Sequence, residues 1–188
     1  EVCVNTKIIN CVFKQCRTSL DISKSFNIRI VNNIFESFAV NGYGIKIEQF
    51  TTDTLVEGNT FSGHFLVGVW CLTFETMPKG LIIDNNKFLA TRSAAIDVGM
   101  IPEVIIRNNS IYSVPYSDFD LSDTTLRGIK SNAFKTICLN NTINGFNLQG
   151  IYWEPRYKVV NTSSELSAYS GGYNNTLYSS SNKGQTWA

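Results

Sequence analysis

The sequence predicts an all-β solenoid, and two recurring phrases predict it. The first is an asparagine pair, a spacer and an apolar residue: VNNIF from Val31, DNNKF from Asp84, RNNSI from Arg107 and LNNTI from Leu139, with EGNTF from Glu57 as a glycine variant. The second is a short alternating strand: SLDI at Ser19, GIKI at Gly44, GVWC at Gly68, AIDV at Ala95, GIKS at Gly128 and GIYW at Gly150. Helical periodicity is absent, and phrases that return at this spacing mark stacked repeats rather than one globular core.

Aligned on its second asparagine place, the first phrase makes a column of Cys11, Asn33, Asn59, Asn86, Asn109 and Asn141, at spacings of 22, 26, 27, 23 and 32 residues. The place before it holds Asn10, Asn32, Gly58, Asn85, Asn108 and Asn140. Two places after stand Phe13, Phe35, Phe61, Phe88, Ile111 and Ile143, and three places before stand Ile8, Ile30, Val56, Ile83, Ile106 and Cys138. Fixed strands joined by variable loops give such an irregular period. In the second phrase, alternation turns Leu20, Ile45, Val69, Ile96, Ile129 and Ile151 inward, beside Ile22, Ile47, Cys71, Val98, Ser131 and Trp153. Each repeat is read as a strand, a turn, a strand, an asparagine turn and a third strand.

The asparagines have a physical reason. Stacked coils bring equivalent residues ~4.8 Å apart. Asparagine tolerates the left-handed backbone of a sharp corner, and its amide both donates and accepts, so stacked copies can bond as a ladder. The phrase is therefore expected to be a corner and not an active site.

Composition narrows the classes. With 43% hydrophobic and 16% charged residues the chain is not disordered, and a net charge of +1 offers no basic face for nucleic acid. No apolar run is long enough to span a membrane, so no membrane insertion is expected. The sequence opens at Glu1 without a starting methionine or signal-like segment, as a fragment or processed piece would. Cys3, Cys11, Cys16, Cys71 and Cys138, an odd set without metal-like pairing, read as free thiols, with Cys11 and Cys16 close enough in sequence to raise a bridge as an alternative. Asn108, Asn140, Asn161 and Asn174 head glycosylation sequons, which a chain this rich in Asn, Ser and Thr also produces by chance. No GxSxG, P-loop or dinucleotide fingerprint occurs, and no cofactor is expected.

The alternating GIxI and IxxNNxF pattern, from about Ile8 to Glu154, resembles the right-handed parallel β-helix of the pectate-lyase-like superfamily. That resemblance implies a right-handed parallel β-helix of about six coils over residues 1–157, with 158–188 as a short irregular exit segment or the start of a further domain. The segment after Tyr157 is Ser- and Asn-rich and reads as lacking the strand pair. Its close, SSNKGQTW from Ser180, is similar to the Asp-box hairpin of β-propellers, here a single turn with Asn182 in the acidic place. Irregular coils and abundant Asn, Ser and Tyr are most similar to bacteriophage tailspike and tail-fibre depolymerases. That similarity implies a homotrimer on a virion tail, assembled in a reducing host cytoplasm, whose partner is a bacterial surface polysaccharide. A secreted or cell-surface location is the alternative. The expected activity is polysaccharide degradation by a glycoside hydrolase or a lyase. The other class is a non-catalytic β-helical stalk or receptor-binding module. The stacked acids of calcium-dependent pectate lyases and the paired aspartates of polygalacturonases are absent.

By the same resemblance, the outer face of the GIxI strand carries the substrate groove. Its outward column is Asp21, Lys46, Trp70, Asp97, Lys130 and Tyr152, beside Ser23, Glu48, Leu72, Gly99, Asn132 and Glu154. Aromatic faces stack on sugars, and carboxylates supply acid and base. Asp97 is expected as the base, Glu154 beside Trp153 as the acid, and Glu48 as a second carboxylate. In a lyase, Lys130 or Tyr152 would abstract the proton. Trp70 and Lys46 are expected to bind substrate, although Asp21–Lys46 and Asp97–Lys130 could equally be surface ion pairs, and Trp70 could be covered by a loop or subunit. The long connection from Tyr112 to Arg127, with Tyr116, Asp118, Asp120 and Asp123, is expected to form a groove wall in which Tyr116, Asp118 and Asp120 bind substrate, and Asp118 or Asp120 could serve instead as the carboxylate partner of Asp97. It lacks the glycine and closing glutamate of a calcium loop. His64, the one histidine, has no second ligand nearby, and no metal site is expected.

Overall fold

The computed structural model describes residues 2–72, 79–89, 91, 93–112, 127–133, 135–144, 149–153, 170–173, 175–178 and 185–187. Every regular element among them is a strand. The first coil holds β1 (Lys7–Ile9), β2 (Val12–Lys14) and β3 (Thr18–Ile22), the second β4 (Phe26–Val31) and β5 (Ile34–Ile47), and the third β6 (Thr52–Glu57) and β7 (Thr60–Cys71). Next come β8 (Lys79–Asp84), β9 (Lys87–Leu89) and β10 (Ala94–Val98), then β11 (Glu103–Arg107), β12 (Ser110–Tyr112) and β13 (Arg127–Ser131). The sixth coil holds β14 (Lys135–Leu139), β15 (Thr142–Asn144) and β16 (Gln149–Trp153), and β17 (Ser170–Tyr173), β18 (Asn175–Tyr178) and β19 (Gln185–Trp187) follow.

One sheet stacks β1-β4-β6-β8-β11-β14-β17, one strand per coil, all parallel. The remaining strands form a twelve-stranded sheet, in which only the β18–β19 hairpin is antiparallel. Both predicted registers hold: Asp84, Arg107 and Leu139 are neighbours, as are Phe35, Phe61 and Phe88. About four closed coils, from Phe26 to Ser131, bury their inward residues on both sheets, fewer than the six expected. In the first coil β1 pairs with β4 and β2 with β5, and both strands are largely exposed.

The asparagine corner is built as its chemistry suggests. Asn10, Asn32, Asn85, Asn108 and Asn140 all have φ between 52° and 56°, and Gly58 takes the same corner at 65°. The following column is buried and forms the ladder. Asn33 Nδ2 donates to Asn59 Oδ1, Asn59 to Asn86, Asn86 to Asn109 and Asn109 to Asn141, each at 3.0 Å. Each Oδ1 also accepts the backbone N–H of the preceding coil's asparagine at 2.9–3.0 Å. Beneath it Phe13, Phe35, Phe61 and Phe88 stack at 4.7–4.9 Å between centroids, the coil spacing itself.

Two features differ from the sequence reading. In the second and third coils no turn separates the two strands after the asparagine corner: β5 and β7 run 14 and 12 residues, paired through a register shift between Ser37 and Gly42. Beyond Tyr157 the parallel pairing continues, with β17 on β14 and β18 on β15. The phrase YNNTLY from Tyr173 is a further copy of LNNTIN, and Leu177 pairs with Ile143. Gly171 and Gly172 stand where Ile137 and Cys138 keep the apolar alternation in the coil before, so alternation alone does not reveal this copy. All five cysteines are free thiols, Cys71 and Cys138 being buried.

Candidate functional site

The outward column assembles in register. Asp21 pairs with Lys46, Lys46 with Trp70, Trp70 with Asp97, Asp97 with Lys130, and Lys130 with Tyr152, across β3, β5, β7, β10, β13 and β16. Inward residues on the same strands, such as Ile45, Val69, Ile96 and Ile129, are fully buried, so the strand pleat holds this column outward.

Three clusters form along it. Lys46 Nζ lies 2.7 Å from Glu48 Oε1 and 3.3 Å from Asp21 Oδ2. The Glu48 carboxylate, with Asp21 behind it, holds the Lys46 ammonium above its ordinary range against the opposing effect of burial. Next, the Trp70 indole stacks on Tyr43 at 4.6 Å and 17°, with Lys46 Nζ 5.7 Å from its centroid. Then Lys130 Nζ donates to Asp97 Oδ2 at 2.9 Å. The Asp97 side chain is only 14% exposed, against 53% for Asp21. Cys71 lies close beneath: burial first, and the Asp97 carboxylate second, push its thiol up to about 12.

Glu48 and Asp97 are not brought together, since Glu48 is held by its own coil's Lys46 and Asp97 stands two coils on. The outward Trp70 has a partner, and it is an aromatic residue of the preceding coil. Tyr152 faces Arg127, whose guanidinium carbon is 4.3 Å from its ring centroid. Glu154, Tyr116, Asp118, Asp120 and Asp123 lie outside the described residues, as does the His64 side chain. No three His, Cys, Asp or Glu side chains among the described residues are grouped so as to hold a metal ion.

Tyr43 and Arg127 were missed by alternation, for one shared reason. Both belong to the column Thr18, Tyr43, Val67, Ala94, Arg127 and Gln149, which alternation assigns to the interior. Val67 and Ala94 obey, at 3% and 1% exposed, whereas Tyr43 and Arg127 are half-buried and lie against the outward aromatic residue of the next coil. A bulky or charged residue in a column of small apolar ones was the available signal.

Stacked parallel coils with one decorated outer strip define a parallel β-helix. A family model described as right handed beta helix region matches residues 2–125, and the chain belongs to that family. No curated protein and no solved structure matches it.

Proposed function

We propose that this right-handed β-helix domain binds a bacterial surface polysaccharide along the strip from Asp21 to Tyr152 and depolymerises it. The observation that carries the reading is the Tyr43–Trp70 stack set one coil from the Asp97–Lys130 pair on a single extended face. An aromatic face suits the apolar face of a sugar, and a shielded carboxylate one coil away suits proton transfer to a bound ring. In a hydrolysis, Asp97 is the base that activates water and Glu154 the acid, at the wider separation of an inverting enzyme, ~6.5–9.5 Å. In a lyase acting on a uronic acid, Lys130 or Tyr152 takes the proton instead. A virion-tail or cell-surface location would each set the strip against such a glycan.

A second reading has its own observation. Both described candidate carboxylates, Glu48 and Asp97, are ion-paired to lysine, as in a non-catalytic stalk or receptor-binding module. Incubation with a panel of capsules and lipopolysaccharides separates the two. New reducing ends or ultraviolet-absorbing unsaturated ends, abolished in Asp97→Asn or Glu154→Gln, support the enzyme. Binding without cleavage across the panel supports the module, and near-normal turnover of both variants with an intact fold would place the reaction elsewhere.

A further inference from the structure

Left-handed backbone is given almost everywhere to residues that tolerate it. The asparagine corner holds Asn or Gly in each described coil. A second stacked column, Asn5, Asn27, Asp53 and Gly80 at φ 52–67°, keeps to the same chemistry near the start of the seven-stranded sheet. Three residues depart from it: Gln15 at 57°, Lys24 at 48° and Phe50 at 58°. Gln15 is a single case in the first coil, whereas Lys24 and Phe50 are stacked equivalents. Lys24 N–H donates to Gln49 O at 2.8 Å, just as Asn10 N–H donates to Val31 O next to Asn32.

A bulky side chain in this conformation is costly where asparagine would fit. Burial offsets little of that cost, since Phe50 is 48% exposed and Lys24 is exposed as well. The flanking carboxylates, Asp21 before Lys24 and Glu48 before Phe50, are both held by Lys46, and Lys24 has no ion-pair partner among the described residues. Strained residues whose side chains are presented to water point to a function outside the chain's own packing.

The corner adjoins the polar strip. Phe50 follows Glu48 by two residues, and Glu48 holds the Lys46 ammonium that lies 5.7 Å from the Trp70 ring centroid. From Lys46 to Phe50 is at most ~13 Å of extended chain. Among the described residues of the strip, Asp21, Glu48 and Asp97 stand against Lys46, Lys130 and Arg127, so Lys24 adds a cation in excess of a balanced set. We propose that Lys24 and Phe50 form a further subsite at the edge of the strip, which takes a sugar carrying an anionic substituent. This rests on the polysaccharide reading above and names the class of glycan. The Phe50 ring suits the apolar face of that sugar, and the Lys24 ammonium suits a carboxylate or phosphate upon it.

The test gives the corner its ordinary residue. Phe50→Asn and Lys24→Asn are each expected to raise the urea midpoint, because strain is relieved, and to weaken binding of an anionic member of the capsule and lipopolysaccharide panel by about tenfold. The Lys24→Asn loss should shrink in high salt. Carboxyl-reduced and dephosphorylated forms of the same polysaccharide identify the anion, since wild type should bind the form lacking it about tenfold more weakly. A lowered midpoint in either variant means that packing holds the side chain, and overturns the proposal. So does wild-type binding confined to neutral polysaccharides, or equal binding of both treated forms and the native one. If Trp70→Ala weakens binding while both corner variants bind normally, the strip stands and the subsite falls. If no polysaccharide binds the wild type, both fall.

Discussion

Asn86 shows how much one side chain carries in a stacked fold. Its amide donates to Val56 O and Asp84 O at 2.9 Å and to Asn109 Oδ1 at 3.0 Å, and its carbonyl accepts both the backbone N–H and the side-chain amide of Asn59. The site is 1% exposed, so water cannot replace a lost partner. Each buried group left unpaired costs about 1–3 kcal/mol. Asn86→Ala is accordingly expected to destabilise the chain by about 3 kcal/mol or more, read as a lower urea midpoint. Asn140→Ala, at an exposed corner, should cost less, chiefly through its left-handed backbone. On the strip, Trp70→Ala should weaken binding of a cognate polysaccharide by about tenfold. Tyr43→Ala should weaken it less, since it supports the indole from the preceding coil. Equal affinity in all three proteins would remove the platform from the proposed function.

At the scale of the element, two glycines of the GIxI strands, Gly44 and Gly68, are set by the ring stack and by the carbonyl of the next coil. A Cβ on Gly44 would meet Phe61 ring atoms at 2.7–2.8 Å, and one on Gly68 would meet Phe88 ring atoms at the same distances. One coil further, alanine stands in this column as Ala95, and the residue after the next asparagine corner is Ile111 instead of phenylalanine. At Gly44 and Gly68 the flat phenyl of the next coil reaches across the space a methyl would fill. Gly68→Ala is expected to cost about 1–3 kcal/mol by overpacking. The penalty should shrink in a Phe88→Ile background, and a double-mutant cycle on urea midpoints measures that coupling. Additive penalties would mean that the approach of Ala95 O, 2.7 Å from the same Cβ, sets the cost alone.

Across the whole molecule, the buried thiols make stability depend on alkaline pH. Burial pushes Cys138 up to about 12, and burial with Asp97 does the same for Cys71, from an ordinary 9.0. Between those values the unfolded chain loses protons that the folded chain keeps. Stability is therefore intact below about pH 9 and falls as pH rises toward 12, by up to ~1.4 kcal/mol per pH unit for each thiol. Lys46 acts in the same direction, because its raised value means that stability is lost only above its unfolded value of 10.5. Urea midpoints between pH 8 and 10.5 should decline, and Cys71→Ala should flatten the decline. Native iodoacetamide treatment at pH 8 should label at most Cys3, Cys11 and Cys16, and denaturant should release all five. Native labelling of Cys71 would mean that the coil at Asp97 opens in solution.

The sequence by itself determined the solenoid, the two strand registers, the asparagine corner and the order of residues on the outer strip. These follow from a repeat, and a repeat states its own alignment: once Asn59 is matched to Asn86, every neighbour in the sheet is known. It could not determine which side chains along the strip meet. Glu48 was read as a second carboxylate for the site of Asp97, yet it turns along its own coil to Lys46, because an ammonium two residues away is nearer than a carboxylate two coils off. Tyr43 and Arg127 escaped notice since alternation states only which way a Cβ points, whereas a long side chain can lie against the outward aromatic residue of the next coil. The run YNNTLY was hidden by glycines where apolar residues were sought. Which strands merge, where the closed core begins and which charge holds which were decided by packing between coils, at distances that no single repeat records.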